Sequence, residues 1–391
     1  MIEKSQKIII VYLGGLLTGL SLILFPAMGS IFTDASQFGL SSSQFGNIFI
    51  PQALLAIVSA LAIPFFVSKY GIKRALILGL GALILSTFLL YLSHFYIYEK
   101  EAALIILFLG TTFLGFGFGT VITVLNPLAF QLFPNNELAS VTGLHFALGL
   151  GTAGAPLFLG LIKNTDSWYY LPILVCFVLI GLMTLVFFVS FKENKLFNIK
   201  GGLKIPSQLW WFITIVILYG ICEGALGSYS TVFLKSQGLN IQQASLGLAM
   251  FWSGLALGRI LFSLLSIKFN LKWIYVLAMS IVAVLLFFNP FYKSAYINIL
   301  IMGLSGLCMS SIFPNSVSWS TKVFSKNAVL VSGVLVASLQ LGTGISTNFL
   351  GILSTTISLS FLFKIIAGIA FLVFIIIYLV NRKFKTNQIQ S

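Results

Sequence analysis

Of the chain's eight acidic residues, Glu3, Asp34, Glu99, Glu101, Glu137, Asp166 and Glu193 fall at loops or at the ends of apolar runs. Glu223 lies well inside the run Leu209–Leu234. A carboxylate within hydrocarbon costs several kcal/mol unless it is paired, hydrated or protonated. Apolar surroundings favour the protonated form of a carboxyl, so such a group can take up and release a proton as its exposure changes. A hydrogen bond to a neighbouring helix is the plainer use. His145 is the one histidine inside an apolar run, and its near-neutral titration suits a proton relay as well as simple packing. Asn126 precedes Pro127, which frees a backbone carbonyl one turn back; this is either a solute contact in a broken helix or a kink satisfied by the asparagine itself. Asn315 and Gln340 are neutral donor–acceptor groups with the same two uses. Trp252, Tyr219 and Tyr229 offer rings on which a sugar or an apolar ligand could stack, or which simply fill the core.

These residues must be held by something that is not a water-soluble domain. Of 391 residues, 59% are apolar and 8% charged, against about 25% charged in soluble domains. Too little charge is present to cover a soluble surface, and 38 phenylalanines exclude a disordered chain. The apolar runs are continuous rather than alternating, which points to helices and not to a membrane β-barrel. Twelve runs can be drawn, at about Ile8–Phe32, Gln44–Val67, Ala75–Ser93, Ala102–Phe130, Leu138–Ile162, Tyr170–Phe191, Leu209–Leu234, Ala244–Ser266, Trp273–Phe288, Tyr296–Ser320, Ala328–Leu353 and Ser360–Val380. All but Trp273–Phe288, a little short as drawn, have at least the roughly 17 residues that a bilayer crossing takes. The first follows a short polar start with no small-residue cleavage site, and is read as a retained span.

All but five of the 22 basic residues (Lys100, Lys163, Lys235, Lys293 and Lys364) lie on the side that holds the N-terminus. Cytoplasmic loops carry the excess of Lys and Arg, so both termini are expected in the cytoplasm. The net charge of +14 is thereby explained without nucleic acid. The long polar stretch Lys192–Gln208 contains four lysines, Gly201-Gly202 and Pro206 and reads as a cytoplasmic linker. It divides the chain into a six-helix bundle over 1–191, the linker 192–208, and a second six-helix bundle with a short basic tail over 209–391.

The halves repeat. Gly151-Thr152 followed by Phe158-Leu159-Gly160 in span five matches Gly342-Thr343 followed by Phe349-Leu350-Gly351 in span eleven. Val141-Thr142-Gly143 and Val331-Ser332-Gly333 match with a one-residue slip, and Asn126-Pro127 in span four faces Pro314-Asn315 in span ten. Cys176, Cys222 and Cys308 are scattered through apolar runs, which suggests neither a disulfide framework nor a zinc site. Gly115, Gly117 and Gly119 lack the strand–helix context and the lysine of a nucleotide loop, and are read as packing glycines. No cofactor or metal is called for.

A duplicated twelve-helix chain with a cytoplasmic central loop resembles the major facilitator superfamily. That resemblance implies an all-α membrane protein of two pseudo-symmetric halves that rock about a site near the midplane. The loop signature of the superfamily survives in part between spans two and three: Gly71 and the basic end Lys73-Arg74 are kept, while Pro64 and Ser68 stand for its first glycine and aspartate. Gly71, Arg74 and Arg259, which closes span eight, are therefore taken as inner-gate or structural positions. Three stretches are most similar to the fucose permease-like branch of sugar:proton symporters. They are Tyr219–Glu223 with Gly227 and Tyr229, Phe251–Arg259, and Asn126-Pro127 with Leu144-His145 and the glycines at 149, 151 and 154. The fucose permeases carry an acid four residues before the positions matching Pro26 and Asn126; here those places hold Leu22 and Ile122.

The chain is thus expected to be a secondary active transporter and not an enzyme, a multi-pass protein of the bacterial inner membrane, acting as a monomer among membrane lipids. It would move a small neutral or weakly polar solute, a sugar being one candidate, by alternating access. Proton coupling falls to Glu223, with His145 in support, and solute binding to Asn126, Asn315, Gln340, Trp252, Tyr219 and Tyr229. Proton-driven efflux of amphipathic compounds is the alternative, and a transport-silent membrane sensor a more remote one.

Overall fold

The computed structural model describes residues 2–132, 137–161, 167–191, 208–268, 272–323 and 328–387. Most of the linker, 192–207, lies outside them. The described residues form fifteen α-helices: α1 (Ile2–Ala27), α2 (Gly29–Phe32), α3 (Ser42–Asn47), α4 (Phe49–Tyr70), α5 (Ile72–Ser93), α6 (Lys100–Leu132), α7 (Glu137–Leu161), α8 (Tyr170–Phe188), α9 (Leu209–Ser236), α10 (Ile241–Lys268), α11 (Lys272–Phe288), α12 (Ala295–Met309), α13 (Ile312–Val323), α14 (Ala328–Leu353) and α15 (Leu359–Asn387). By length and composition they supply twelve membrane spans, as the apolar runs require. Spans one, two and ten are each made of two helices in succession: α1 with α2, α3 with α4, and α12 with α13. Twelve crossings return the chain to the side on which it began, so the bundle has a terminal end and a far end.

The packing is pseudo-symmetric. Within the first six spans α1 pairs with α7, α4 with α6, and α5 with α8; within the last six α9 pairs with α14, α10 with α12, and α11 with α15. Glycines bring the backbones together at matching places. A Cβ on Gly151 would overlap the Leu16 carbonyl of α1, and one on Gly342 the Ile217 carbonyl of α9. The repeated Gly-Thr pair of spans five and eleven therefore marks the same helix crossing in each half. Gly115 and Gly119 likewise seat α6 on the Gln52 and Ala56 carbonyls, as Gly306 seats α12 on Phe251. Close approach of this kind is how membrane helices associate where no hydrophobic drive separates them from lipid.

A second repeat sits at the far end. Gly39-Leu40-Ser41 leads into α3, and Gly238-Leu239-Asn240 leads into α10. Both glycines have positive φ, 59° and 93°, a region closed to most side chains. Each turn then starts a helix with a reciprocal cap. The Ser41 hydroxyl accepts from Gln44 N–H while Ser41 N–H donates to Gln44 Oε1, and Asn240 and Gln243 exchange the same two bonds. Two orphan donors are satisfied in each case. The two-fold repeat thus governs the turns as well as the crossings, and it fixes the residues just before them, Asp34 and Lys235.

Of the two readings open for Asn126-Pro127, a broken helix is not what forms. α6 runs unbroken past Asn126 and Pro127; the helix break falls in span ten instead, at Ser310-Ser311, and puts Pro314 in the first turn of α13. There a missing N–H costs nothing, because first-turn donors lack an intrahelical partner. The break between α3 and α4, at Ile48, is flanked by Gly46 and by Pro51, which stands in the first turn of α4 as Pro314 does in α13.

Candidate functional site between the two halves

Tyr219 and Glu223 are four residues apart on α9 and so share one of its faces. The neighbouring face, Gly220 and Gly224, is pressed against Leu339, Gly342 and Thr343 of α14. Glu223 is 9% exposed and Tyr219 fully buried. Across from them runs α10, whose Trp252 ring lies against Gly227, one turn from Glu223 towards the far end. Because α10 is antiparallel to α9, Arg259, two turns past Trp252, comes down to the level of Tyr219. The charge of Arg259 acts on Glu223 and on Tyr219. It acts also on His145 of α7, which belongs to the other half. The crossing of α7 with α10 at Gly149 and Ala256, one turn away, explains that proximity.

Arg259 therefore does not merely close span eight at the membrane edge, as its place in the sequence suggested. It stands beside the isolated carboxyl, with a phenol and an imidazole around it. The Tyr219 hydroxyl, Glu223 Oε2 and Arg259 Nε are all enclosed, yet none closes a well-formed hydrogen bond. The Tyr219 hydroxyl is close enough to interact with both Glu223 and Arg259, and a buried donor or acceptor left without a well-formed bond costs about 1–3 kcal/mol, more when charged.

The other expected residues divide into two groups. Asn126 Oδ1 on α6, Asn315 Nδ2 on α13 and Trp252 Nε1 on α10 are enclosed and close no hydrogen bond within the protein. The same holds for Gln52 Oε1 on α4, a residue the sequence reading passed over. Gln340 is partly engaged, its Oε1 accepting from Thr343 Oγ1 at 3.4 Å. Tyr229 is taken up elsewhere. Its hydroxyl donates to the Ser42 carbonyl at 2.7 Å, and its ring meets Phe45 with centroids 5.3 Å apart; both contacts cross between the halves. Gly71 caps α4 with φ of 84°, and Arg74 is exposed. It is Lys73, not Arg74, that reaches another span, donating to the Phe187 carbonyl near the end of α8.

The Tyr229 contact belongs to a polar seal at the far end. Lys235 Nζ binds Asp34 Oδ2 at 2.5 Å and donates to the Ser30 carbonyl at 3.2 Å. Thr231 Oγ1 donates to the Pro26 carbonyl at 3.3 Å. Asn348 Nδ2 donates to Asn47 Oδ1 at 3.0 Å. Gly46 and Gly351 touch backbone to backbone beneath Tyr229. Asp34 is held in place by its own turn, where Oδ1 accepts from the amide and hydroxyl of Ser36. The Lys235 ammonium and then Ser36 keep its carboxyl down at about 2, from an ordinary 3.8. Sequence reading missed this seal because it joins residues some 200–300 positions apart.

Two pseudo-symmetric bundles, sealed at one end and holding ionisable groups at mid-depth, match a known architecture. The sequence matches the Major Facilitator Superfamily over residues 11–252 and 234–390. The chain belongs to that superfamily. Its work is therefore transport of a small solute across a membrane and not catalysis. It is 22% identical over 305 residues to the glucose/mannose transporter GlcP of Bacillus subtilis (strain 168), covering 74% of this chain and 73% of that one. Among solved structures it superposes on a D-xylose-proton symporter with a TM-score of 0.76 at 14% identity, covering 95% and 97% of the two chains. It also superposes on a bacterial homolog of the human lysosomal transporter Spinster, in an inward-facing and occupied conformation, with a TM-score of 0.78 at 14% identity, covering 98% and 97%. At such identities these structures speak for the fold alone.

Proposed function

We propose that this protein is a secondary active transporter of a small polyhydroxylated solute, most simply a hexose, coupled to protons through Glu223. The observation that carries the reading is the set of enclosed, incompletely bonded polar atoms of Glu223, Tyr219 and Arg259, with His145 of the other half beside Arg259. Ionised, Glu223 is compensated by Arg259; protonated, it leaves Arg259 free for another acceptor. The two forms thus favour different arrangements of the halves, as coupling requires, since a ligand of equal affinity for both states shifts nothing. The rocking bodies are the bundles 1–191 and 209–391 about the linker 192–208. With the basic loops in the cytoplasm, the sealed far end is external and the site is reached from inside.

The hexose is supported by the glucose/mannose relative and by the xylose–proton symporter of the same fold. It is supported independently by the unpartnered atoms of Gln52, Asn126, Trp252 and Asn315. Hydroxyls both donate and accept, and so suit both the acceptor oxygens and the donor nitrogens among them. An amphipathic drug would leave them unpaired, which weighs against the efflux reading. Placement in a sugar-transporting branch follows; the narrower fucose permease-like likeness rests on three sequence stretches.

The test is Glu223→Gln in proteoliposomes. The variant is expected to lose pH-gradient-driven accumulation of hexose while retaining counterflow exchange, because solute binding persists when the proton does not titrate. Gradient-driven accumulation surviving in Glu223→Gln removes the coupling role.

A further inference from the structure

The named hydrogen bonds of the far-end seal all run in one direction. The donors, Tyr229 Oη, Thr231 Oγ1, Lys235 Nζ and Asn348 Nδ2, belong to the second half; the acceptors, Pro26 O, Ser30 O, Asp34 Oδ2, Ser42 O and Asn47 Oδ1, belong to the first. Three of those acceptors are carbonyls of the last or first turns beside the breaks that end α1, α2 and the loop before α3. When the halves part, a wall of donors faces a wall of acceptors across the opening cleft.

Asn47 and Asn348 are the seal's amide pair. Asn348 is on α14, one turn from Gly344, which touches Ala53 of α4; Ala53 adjoins Gln52, whose amide oxygen is enclosed and unpartnered. On another side of α14, Thr343 and Ser346 touch Gly224, the neighbour of Glu223. The pair therefore roofs the layer that holds the candidate site. Each of the two residues keeps part of its surface open, and a single bond between two carboxamides uses one of the donors and one of the acceptors they carry.

We propose that Asn47 and Asn348 are solute contacts: the two amides hold each other across the halves when the far end is shut, and hold the hydroxyls of an entering sugar when it is open. This rests on the hexose reading above. A hydroxyl can replace either partner of the broken bond, donating to Asn47 Oδ1 and accepting from Asn348 Nδ2. The solute then compensates the cost of opening, and a solute without hydroxyls does not.

The experiment separates a contact from a mere latch by sign. D-Glucose entry from the far side is measured in proteoliposomes for wild type, Asn348→Ala and the milder Asn47→Ser, with monodeoxyglucoses as a second probe. If the pair is only a latch, breaking it raises the outward-open population, and the entry KM falls. If it binds the sugar, the entry KM rises about fivefold, the worth of one neutral hydrogen bond, and discrimination against one monodeoxyglucose is lost in the variant. A KM that falls or stays unchanged in both variants overturns the proposal, as does undiminished discrimination against every deoxy sugar. Wild type that moves no hexose at all overturns the hexose reading itself, a result visible before any variant is made.

Discussion

Replacing Asp34 by Asn tests the seal where its strength can be worked out. Lys235 and Asp34 are partly shielded, with side chains 30% and 24% exposed. The Asp34 carboxyl is held at about 2 against an ordinary 3.8, by Lys235 first and Ser36 next. At ~1.4 kcal/mol per pKa unit this depression is worth roughly 2 kcal/mol. Ser36 is two residues away in the same turn and stays with Asp34 when the halves separate. Only the share of Lys235 belongs to closure, roughly 1 kcal/mol, at the upper end of the usual ~0.2–1 kcal/mol for solvent-accessible pairs. A depressed carboxylate stabilises above its ordinary pKa, so the contribution is complete above about pH 4 and lost as pH falls towards 2. At neutral pH wild type has it and Asp34→Asn does not. The expected consequence is a rise of about fivefold in the ratio of far-end-open to far-end-closed molecules. Tyr98 and Tyr296, 94% and 87% exposed, lie at the far end on opposite halves. Spin labels at these two places, with Cys176, Cys222 and Cys308 replaced by Ser, report the separation by pulsed EPR. Ser36→Ala serves as control and leaves the distances unchanged at neutral pH. A distance distribution in Asp34→Asn that matches wild type, or moves to shorter separations, refutes the reasoning.

Two further variants probe the interior. Arg259→Gln leaves Glu223 without its cation in apolar surroundings, an arrangement that costs several kcal/mol if the carboxyl stays ionised. It is expected to reproduce the Glu223→Gln phenotype, with accumulation lost and counterflow kept, while Arg259→Lys retains part of the accumulation; proton-driven uptake at wild-type level in Arg259→Gln shows the pairing to be idle. Gly151→Val forces a side chain onto the Leu16 carbonyl and the Leu20 amide, for which no flexible atom can yield. A loss of about 1–3 kcal/mol, the range for overpacking, is expected as a lowered unfolding temperature in detergent, with Gly342→Val behaving alike; an unshifted transition in both argues that the crossings are loose.

Much of the architecture could be read in advance because a bilayer leaves so few choices. Backbone groups in lipid must be paired within a helix, so twelve apolar runs became twelve spans, and the Gly-Thr repeat at Gly151 and Gly342 located a real crossing in each half. Glu223 was legible for the same reason: a lone acid in an apolar run is costly enough to need an explanation. Arg259 was misplaced because it was judged by its distance from the end of span eight along the chain. What decides its surroundings is the antiparallel register of α9 against α10, set by Gly227 beneath Trp252. Asn126-Pro127 allowed either a broken helix or a kink, and α6 runs on without a break. The seal had one readable trace, the Gly-Leu-Ser and Gly-Leu-Asn turns with a Gln three residues on. Those turns show where the halves are alike; that one carries an acid and the other a lysine could not be seen to matter until the fold brought them face to face.

The carbonyls of Pro26, Ser30 and Ser42 have a consequence for how the two halves can diverge. Main-chain oxygens persist whatever amino acid a codon specifies, whereas the hydroxyls and ammonium that reach for them vanish with a single base change. Inherited variation that loosens the far end will therefore gather around Tyr229, Thr231 and Lys235 in the second half and around Asp34 and Asn47 in the first, while Pro26, Ser30 and Ser42 can drift in sequence with little effect on the latch.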